Sequence, residues 1–376
     1  MKTRNKILAG VGAVFLLAVT TFAIALSHES DCPTPPPPAE GSESMRAIVH
    51  RCYGTPGEVL ALERIAKPVP TDEQVLIKVH ATSVNPAEWH GVTGEPYLIR
   101  MGSGFGAPER HRVGYDYAGT VEAVGAKVTR FKPGDEVFGG AGGAFAEYVV
   151  ARESASIVPK PPQMTFEEAA AIPIAAITAL QALRDHGRIA AGQKVLINGA
   201  SGGVGTYAVQ IAKAFGAEVT GVCSTRNVEL VRSLGADHVI DYTQQNFTEG
   251  AERYDLVIDN VGNHDLLDVS HVIKPDGTLV VVGGSKTDPW LGPISRIIKM
   301  ELLAHFVDQR FTFFIASVNP ADLTFLADLV REGKMRTAID RRYPLEEVGA
   351  ALDYIGSKRA RAKVVITIVP SAGARS

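Results

Sequence analysis

The sequence predicts an α/β protein in which a β-rich, barrel-like unit is followed by a doubly wound parallel sheet. Three observations lead to this prediction. Residues 45–175 are mostly short strands and tight turns. From residue 176 onward, short apolar strands alternate with helical segments. Residues 194–205 place a glycine-rich turn between a strand and a helix, which is typical of a nucleotide-binding loop.

Composition limits what the chain can be. Its 376 residues give room for two domains, and 45% hydrophobic residues are enough to bury full cores. The formal net charge of −3 gives no basic excess, so no nucleic-acid partner is expected. The cysteines Cys32, Cys52 and Cys223 form no CxxC pair, so we expect free thiols rather than a disulfide framework or a four-cysteine zinc site.

The first 44 residues differ in kind from the rest. Cationic residues precede the uncharged run 7–26, which is about as long as a bilayer is thick. This run predicts a transmembrane anchor within residues 1–30. A cleaved signal peptide is the alternative, because Ala23-Ile24-Ala25 resembles a cleavage site. Residues 31–44 are rich in proline, with Pro35 to Pro38 consecutive, and predict an extended linker.

Residues 45–175 carry the pattern of an antiparallel β domain. Residues 75–80 alternate as a half-buried strand does, and residues 114–125 predict a strand between two turns. The pair Pro133-Gly134 predicts a turn before another short strand. We therefore assign residues 45–175 to one β-rich domain.

The glycine-rich turn is the strongest single motif. Gly199, Gly202, Gly203 and Gly205 follow an apolar strand and open a helix. Glycines let backbone N–H groups approach a pyrophosphate, and the helix N-terminus offers partial positive charge. A tight turn without a ligand is the alternative for the glycines taken alone. The strand–turn–helix context favours dinucleotide binding.

The next strand, residues 218–223, indicates which dinucleotide. In NAD sites this strand usually ends at an acid that binds the ribose 2′-hydroxyl. Here it ends in Ser224, Thr225 and Arg226, and these groups suit a 2′-phosphate. The sequence therefore predicts NADP(H) over NAD(H). The alternative is that Arg226 is a solvated residue at the start of a helix.

Helices and strands alternate on to residue 284, and the five apolar strands predict a parallel sheet within residues 176–312. In residues 290–314, Leu291, Ile294, Ile298 and Leu302 share one helical face. That helix covers a cleft or dimer face, or it contacts lipid. Residues 313–376 predict helices over 322–331 and 344–355 and a final strand over 363–369.

Several stretches together resemble the medium-chain dehydrogenase/reductase superfamily over residues 45–369. The greatest likeness is to its zinc-free quinone oxidoreductase branch, including mitochondrial NADPH oxidoreductases that interact with reticulon. The matching stretches are residues 84–88, 114–119, 131–139, 176–180, 199–205, 233–242 and 359–366. The resemblance implies a GroES-like catalytic domain, built from both chain ends, around a Rossmann domain. It also implies a homodimer.

The resemblance further implies site residues. The expected cofactor contacts are Thr178, Ser201, Gly202, Gly203, Val204, Ser224, Thr225, Arg226, Tyr242, Asn260 and Gly283. Asn85 is expected in the floor of the active site. Zinc enzymes of this fold have a Cys where Asn85-Pro86 stands and a His where Tyr115 stands, so no metal is expected.

These features favour hydride transfer from NADPH to a quinone or an α,β-unsaturated carbonyl, because the charge then spreads over a conjugated system. Asn85 would donate a hydrogen bond to the substrate oxygen, and Tyr53, Tyr97 or water would supply the proton. One alternative is a non-catalytic NADPH sensor or docking protein at the membrane, and another is an enoyl or enal reductase of lipid-derived substrates. The predicted anchor suggests a membrane-borne acceptor. The side of the membrane stays open, because the charges before the anchor place the domains outside, whereas NADPH is cytoplasmic.

Overall fold

The structure, a computed structural model, describes residues 2–34, 43–284, 289–292 and 294–369, with side chains from residue 15 onward. The consecutive prolines of the predicted linker lie outside the described residues.

Within this part of the chain, the strands are β1 (Ser44–His50), β2 (Leu60–Ala66), β3 (Gln74–Val84), β4 (Asp116–Val124), β5 (Glu136–Gly140), β6 (Tyr148–Arg152), β7 (Ile157–Pro159), β8 (Lys194–Asn198), β9 (Glu218–Cys223), β10 (His238–Asp241), β11 (Tyr254–Asp259), β12 (Ile273–Val281), β13 (Arg310–Phe313), β14 (Ile339–Pro344) and β15 (Lys363–Thr367). The helices are α1 (Lys2–Ser27), α2 (Pro56–Val59), α3 (Pro86–Thr93), α4 (Arg100–Ser103), α5 (Phe166–Ala170), α6 (Pro173–Gln181), α7 (Gly203–Ala214), α8 (Val228–Ser233), α9 (Leu266–Ser270), α10 (Ile294–Leu303), α11 (Pro320–Arg331) and α12 (Val348–Gly356).

The β-rich unit contains a two-stranded sheet, β1-β2, and a seven-stranded sheet in the order β14-β15-β3-β4-β5-β7, with β6 also paired to β3. Val75, Ile77 and Val79 alternate along β3 and are buried together, as the sequence predicted for this strand. The last strand, β15, lies between β14 and β3. The sheet therefore includes strands from both ends of the chain.

The second unit is a six-stranded parallel sheet in the order β10-β9-β8-β11-β12-β13. Helices α6, α7 and α11 cover one face, while α9 and α10 pack on the other. This confirms the doubly wound sheet. The sixth strand, β13, was not predicted, because its four residues begin with an arginine and are only partly buried.

Two predicted helices need correction. The structure places Pro344 at the end of β14, and α12 begins only at Val348, after a short 3₁₀ turn. Proline fits the end of this edge strand because it needs no ladder donor there. In the 290–314 region the helix is α10 alone. Its Met300 is buried, while Ile298 and Leu302 are exposed.

The expectation of three free thiols is wrong for two of them. Cys32 and Cys52 form a disulfide, and their Cα atoms lie 4.9 Å apart, a separation that a disulfide spans readily. The fold brings together two cysteines whose sequence context gave no sign of pairing. Cys223 is free and buried.

The predicted anchor gains no support. Helix α1 covers the apolar run, but its end is docked on the folded protein, with Leu26 only 1% exposed. Among the residues that were described and searched, no helix combines the length and apolar character that a bilayer span requires.

Candidate active site

The glycine-rich turn leads from the end of β8 into α7. Gly199 has φ +77°, a conformation that favours glycine. A side chain at Gly205 would clash with the Gly199 carbonyl. The helix begins after Gly202, and no described side chain caps it. Its first backbone N–H groups are therefore available to an anion, as dinucleotide binding requires.

Asn227 lies behind this turn and was not among the predicted cofactor contacts. Its side-chain amide donates to Ser201 Oγ at 3.0 Å and to Ser224 Oγ at 3.3 Å. Its buried Oδ1 has no hydrogen-bond partner among the described residues. Because buried polar atoms are almost always paired, the unpartnered oxygen fits a site completed by a ligand. Asn227 thus links two of the residues expected to contact the cofactor.

The end of β9 holds the groups predicted for a 2′-phosphate. Thr225 Oγ1 donates to Asp241 at 2.6 Å, and this hydrogen bond is the main cause of the lowered pKa of that carboxyl. The Arg226 guanidinium is exposed and donates to the Arg359 carbonyl at 2.8 Å. Tyr242 is 57% exposed beside them. The acid missing from β9 is thus supplied by β10, but it is already engaged by a threonine.

Asn260 and Gly283 follow β11 and β12 and lie side by side. The Asn260 side chain donates to the Asn198 carbonyl at 3.0 Å, and its buried Oδ1 has no partner among the described residues. A side chain at Gly283 would clash with the Asn260 carbonyl. Thr178 on α6 donates its hydroxyl to the Ile174 carbonyl at 2.7 Å. Asn260 therefore has acceptor capacity free for a ligand at the carboxyl ends of the parallel strands.

A buried polar cluster stands where the catalytic floor was predicted. Lys363 Nζ donates to Asn85 Oδ1 at 2.6 Å, and Asn85 Nδ2 donates to Asp116 Oδ2 at 2.9 Å. Ser83 Oγ also donates to Asp116, at 2.7 Å, and the Ile174 N–H does so at 3.0 Å. One amide hydrogen of Asn85 is therefore left for another acceptor, and its orientation is fixed from both sides.

Burial strongly shifts the pKa values of the titratable side chains in this cluster. Desolvation, reinforced by the charge of Asp116, raises the pKa of Glu88 to about 8. Burial also raises the pKa of Asp116, which Lys363 opposes, and it lowers the pKa of Lys363. Their nearest N–O distance is 3.8 Å. Neither Glu88 nor Lys363 was predicted as a site residue, because each acquires its surroundings only when distant strands meet.

Lys363 also joins the cluster to the glycine-rich turn. The neighbouring Ala362 N–H donates to the Ser201 carbonyl at 2.6 Å. A side chain at Gly203 would lie about 3.3 Å from Lys363 Cδ. The predicted cofactor loop and the predicted catalytic floor are therefore in direct contact through β15.

The two predicted proton donors share a neighbour. Tyr53 is 4% exposed and donates its hydroxyl to the Gly104 carbonyl at 2.9 Å. Burial raises the pKa of this hydroxyl. The Tyr97 ring packs edge-on against Trp290, with ring centres 5.0 Å apart. The Arg100 guanidinium lies over both tyrosine rings.

Comparison with known proteins shows the family of the chain. Residues 71–162 match an alcohol dehydrogenase GroES-like domain, and residues 234–366 match a zinc-binding dehydrogenase. The chloroplast envelope quinone oxidoreductase homolog of Arabidopsis thaliana is 33% identical over 342 residues, covering 86% of this chain and 98% of that protein. The 2-methylene-furan-3-one reductase of Solanum lycopersicum is 34% identical over 341 residues, covering 87% and 80%.

Solved structures give the same result. The quinone oxidoreductase from Coxiella burnetii has a TM-score of 0.76 and 31% identity, covering 87% of this chain and all of that one. The similarity thus includes both units. The chain belongs to the medium-chain dehydrogenase/reductase superfamily and is an oxidoreductase of the type that uses a nicotinamide cofactor.

Proposed function

We propose that this enzyme is a zinc-independent reductase that uses NADPH to reduce a quinone or an α,β-unsaturated carbonyl. The observation that carries the proposal is the Lys363–Asn85–Asp116 cluster, which presents a fixed amide rather than a metal ligand at the site floor. Asn85 and Tyr115 stand where zinc enzymes of this fold have a Cys and a His. Neither is a soft ligand of the kind that catalytic zinc needs.

The residues fit a dinucleotide. The N-terminus of α7 would bind the pyrophosphate, and the unpartnered oxygens of Asn227 and Asn260 would accept hydrogen bonds from the cofactor. When bound, the cofactor supplies the hydride. Thr178, Val204, Tyr242 and Gly283 complete the proposed contacts.

The preference for NADPH rests on charge at the end of β9. Ser224 and the exposed Arg226 offer hydrogen-bond donors there, and the guanidinium can bind a phosphate at two points. Asp241 would repel a phosphate, but its carboxylate accepts hydrogen bonds from Thr225, Thr243 and Gln244. The hydrogen-bond donors of Ser224 and Arg226, together with the already hydrogen-bonded carboxylate of Asp241, support NADPH over NADH.

Asn85 would position the acceptor. Lys363 and Asp116 hold its amide, so the remaining N–H can donate to the substrate oxygen without a reorientation cost. A conjugated acceptor needs less electrostatic help than a simple ketone, because its charge is delocalised. For the proton we favour Tyr97 over Tyr53, since the Tyr53 hydroxyl already donates to Gly104. Water is the remaining donor.

The second candidate is reduction of enones or enals derived from lipids. The tomato relative is named for an acceptor with a conjugated exocyclic double bond, and it shares 34% identity with this chain. The same floor would serve both acceptor classes, because each presents an oxygen conjugated to the reacting carbon. A non-catalytic sensor is disfavoured, because the chain belongs to a superfamily of oxidoreductases.

The deciding experiment uses the full chain, purified with a chelator. NADPH oxidation is followed with a 1,4-quinone and with an enal, and NADH is run in parallel. We expect turnover with the chelator present and a preference for NADPH. NADPH binding without turnover of either acceptor would overturn the proposal, and dependence on added zinc would overturn its metal-free part.

We also propose a homodimer. Strand β13 is the last strand of the parallel sheet, and among the described residues it pairs only with β12. An open strand edge can pair with a second copy. Light scattering of the purified chain tests this, and a monomer mass at micromolar concentration would contradict it.

A further inference from the structure

Residues 26–32, here called the strap, run from the end of α1 onto the β-rich unit. Leu26 is only 1% exposed, and the Ser30 N–H donates to the Gly106 carbonyl at 2.9 Å. At its far end the strap is tied by a disulfide that joins the exposed Cys32 to the buried Cys52. The strap is therefore fixed at both ends and along its length.

The strap supplies three hydrogen-bond partners of a buried cation, Arg100. Arg100 is fully buried, and its Nη1 donates to the carbonyls of Leu26 at 3.2 Å and His28 at 3.1 Å. Its Nη2 pairs with the Glu29 carboxylate at 2.9 Å. A buried guanidinium is costly unless it is paired and hydrogen-bonded. Arg100 also donates to the carbonyls of Gly94 at 2.9 Å and Thr93 at 3.4 Å, so the strap supplies three of its five hydrogen-bond partners among the described residues. Loosening the strap would therefore leave the guanidinium only partly paired.

Arg100 in turn contacts both tyrosines of the candidate site. Its guanidinium carbon lies 4.4 Å from the ring centre of Tyr53 and 4.6 Å from that of Tyr97. Both distances suit cation–π attraction. Cys52 is also the residue directly before Tyr53, so the disulfide links the strap covalently to the backbone next to Tyr53.

We propose that Arg100 is a positioning residue for Tyr53 and Tyr97, and that the Cys32–Cys52 disulfide makes this positioning redox-dependent. The proposal rests on the proposed function, since it takes these tyrosines to line the acceptor site. A dithiol reduces the bond by thiol–disulfide exchange: the sulfur–sulfur bond breaks, each cysteine gains a hydrogen, and the dithiol becomes a disulfide. The strap then keeps only its non-covalent contacts, and the Glu29 side chain is 52% exposed.

The test compares the full chain in oxidised form with the same chain reduced by dithiothreitol and alkylated. Hydrogen exchange is measured over residues 28–32 and 97–106, together with the KM for a 1,4-quinone and the Kd for NADPH. On reduction we expect faster exchange in both segments and a quinone KM raised roughly five-fold, about the loss of one cation–π contact. The NADPH Kd should not move.

Variants separate the effect of the disulfide from the effect of the ion pair between Glu29 and Arg100. Cys32→Ser should reproduce the reduced state, while Cys223→Ser, which removes the free buried thiol, should leave the difference between redox states intact. Glu29→Gln should raise the quinone KM with the disulfide unbroken. Unchanged exchange over residues 97–106 on reduction overturns the proposal, as does faster exchange with an unchanged KM. If neither the quinone nor the enal is turned over, the proposed function has failed. The proposal about Arg100 is then judged by hydrogen exchange alone: faster exchange over residues 97–106 on reduction supports it, and unchanged exchange overturns it.

Discussion

In the proposed function, individual residues decide cofactor choice and substrate placement. Arg226 is exposed at the end of β9, whereas Lys363 and Asp116 are buried at the site floor. An exposed cation contributes mainly when a ligand arrives, and a buried ion pair matters already in the free protein. The two kinds of residue therefore call for different measurements.

Arg226→Ala should weaken NADPH binding and leave NADH binding unchanged. A hydrogen bond to a charged group contributes about 1.5–3 kcal/mol, so we expect the NADPH Kd to rise roughly 10- to 100-fold. Fluorescence titration with both cofactors measures this. Arg232→Ala is the matched control, because Arg232 is exposed on α8 and pairs only with Glu229 among the described residues. Equal losses for NADPH and NADH would contradict the assignment.

Lys363→Met should destabilise the folded chain by about 3–5 kcal/mol, because it leaves Asp116 buried without its cation. Adding Asp116→Asn should recover part of the loss, since the amide carries no charge. Denaturant unfolding of the single and double variants gives the coupling energy. Strict additivity of the two changes would show that the pair does not interact.

Single elements differ in how well the sequence predicts them. Strand β3 and the turn before α7 were predicted, because alternation and glycine spacing are local signals. Strand β13, Asn227 and the disulfide were not, because each depends on a partner distant in sequence. The same holds within the site. Asn85 was expected in the floor, but the lysine that orients it arrives 278 positions later.

Helix α3 carries a pH-sensitive cap. Asn85 and Glu88 form a capping box at its start, and burial raises the Glu88 pKa from an ordinary 4.5 to about 8. Between these values the folded state holds a proton that the unfolded state has lost. Stability should therefore fall as pH rises from about 5 to 8, by up to a few kcal/mol. Glu88→Gln should flatten this slope in unfolding experiments, and an unchanged slope would exclude Glu88 as its cause.

At the scale of the molecule, the two units meet at the proposed cofactor site. Arg226 contacts the Arg359 carbonyl, and Ser201 contacts Ala362. A ligand bound across this boundary should stabilise both units together. At a concentration of 100 times Kd, NADP⁺ should add about 2.7 kcal/mol and raise a single melting transition by several degrees. Two separate transitions, with only one shifted, would show that the ligand contacts one unit alone.

The insertion of β15 between β14 and β3 has a consequence for how the protein is made. During synthesis β3 emerges from the ribosome before the parallel sheet, and the strand that completes its sheet emerges only after all strands of the parallel sheet. The parallel sheet is fully synthesised before that, so it can fold while its neighbour still lacks a central strand. Lys363, which orients Asn85 in the proposed catalytic floor, is on β15. Nascent chains that stall before residue 363 would thus carry the whole parallel sheet but an incomplete β-rich sheet, without the lysine of the proposed catalytic floor.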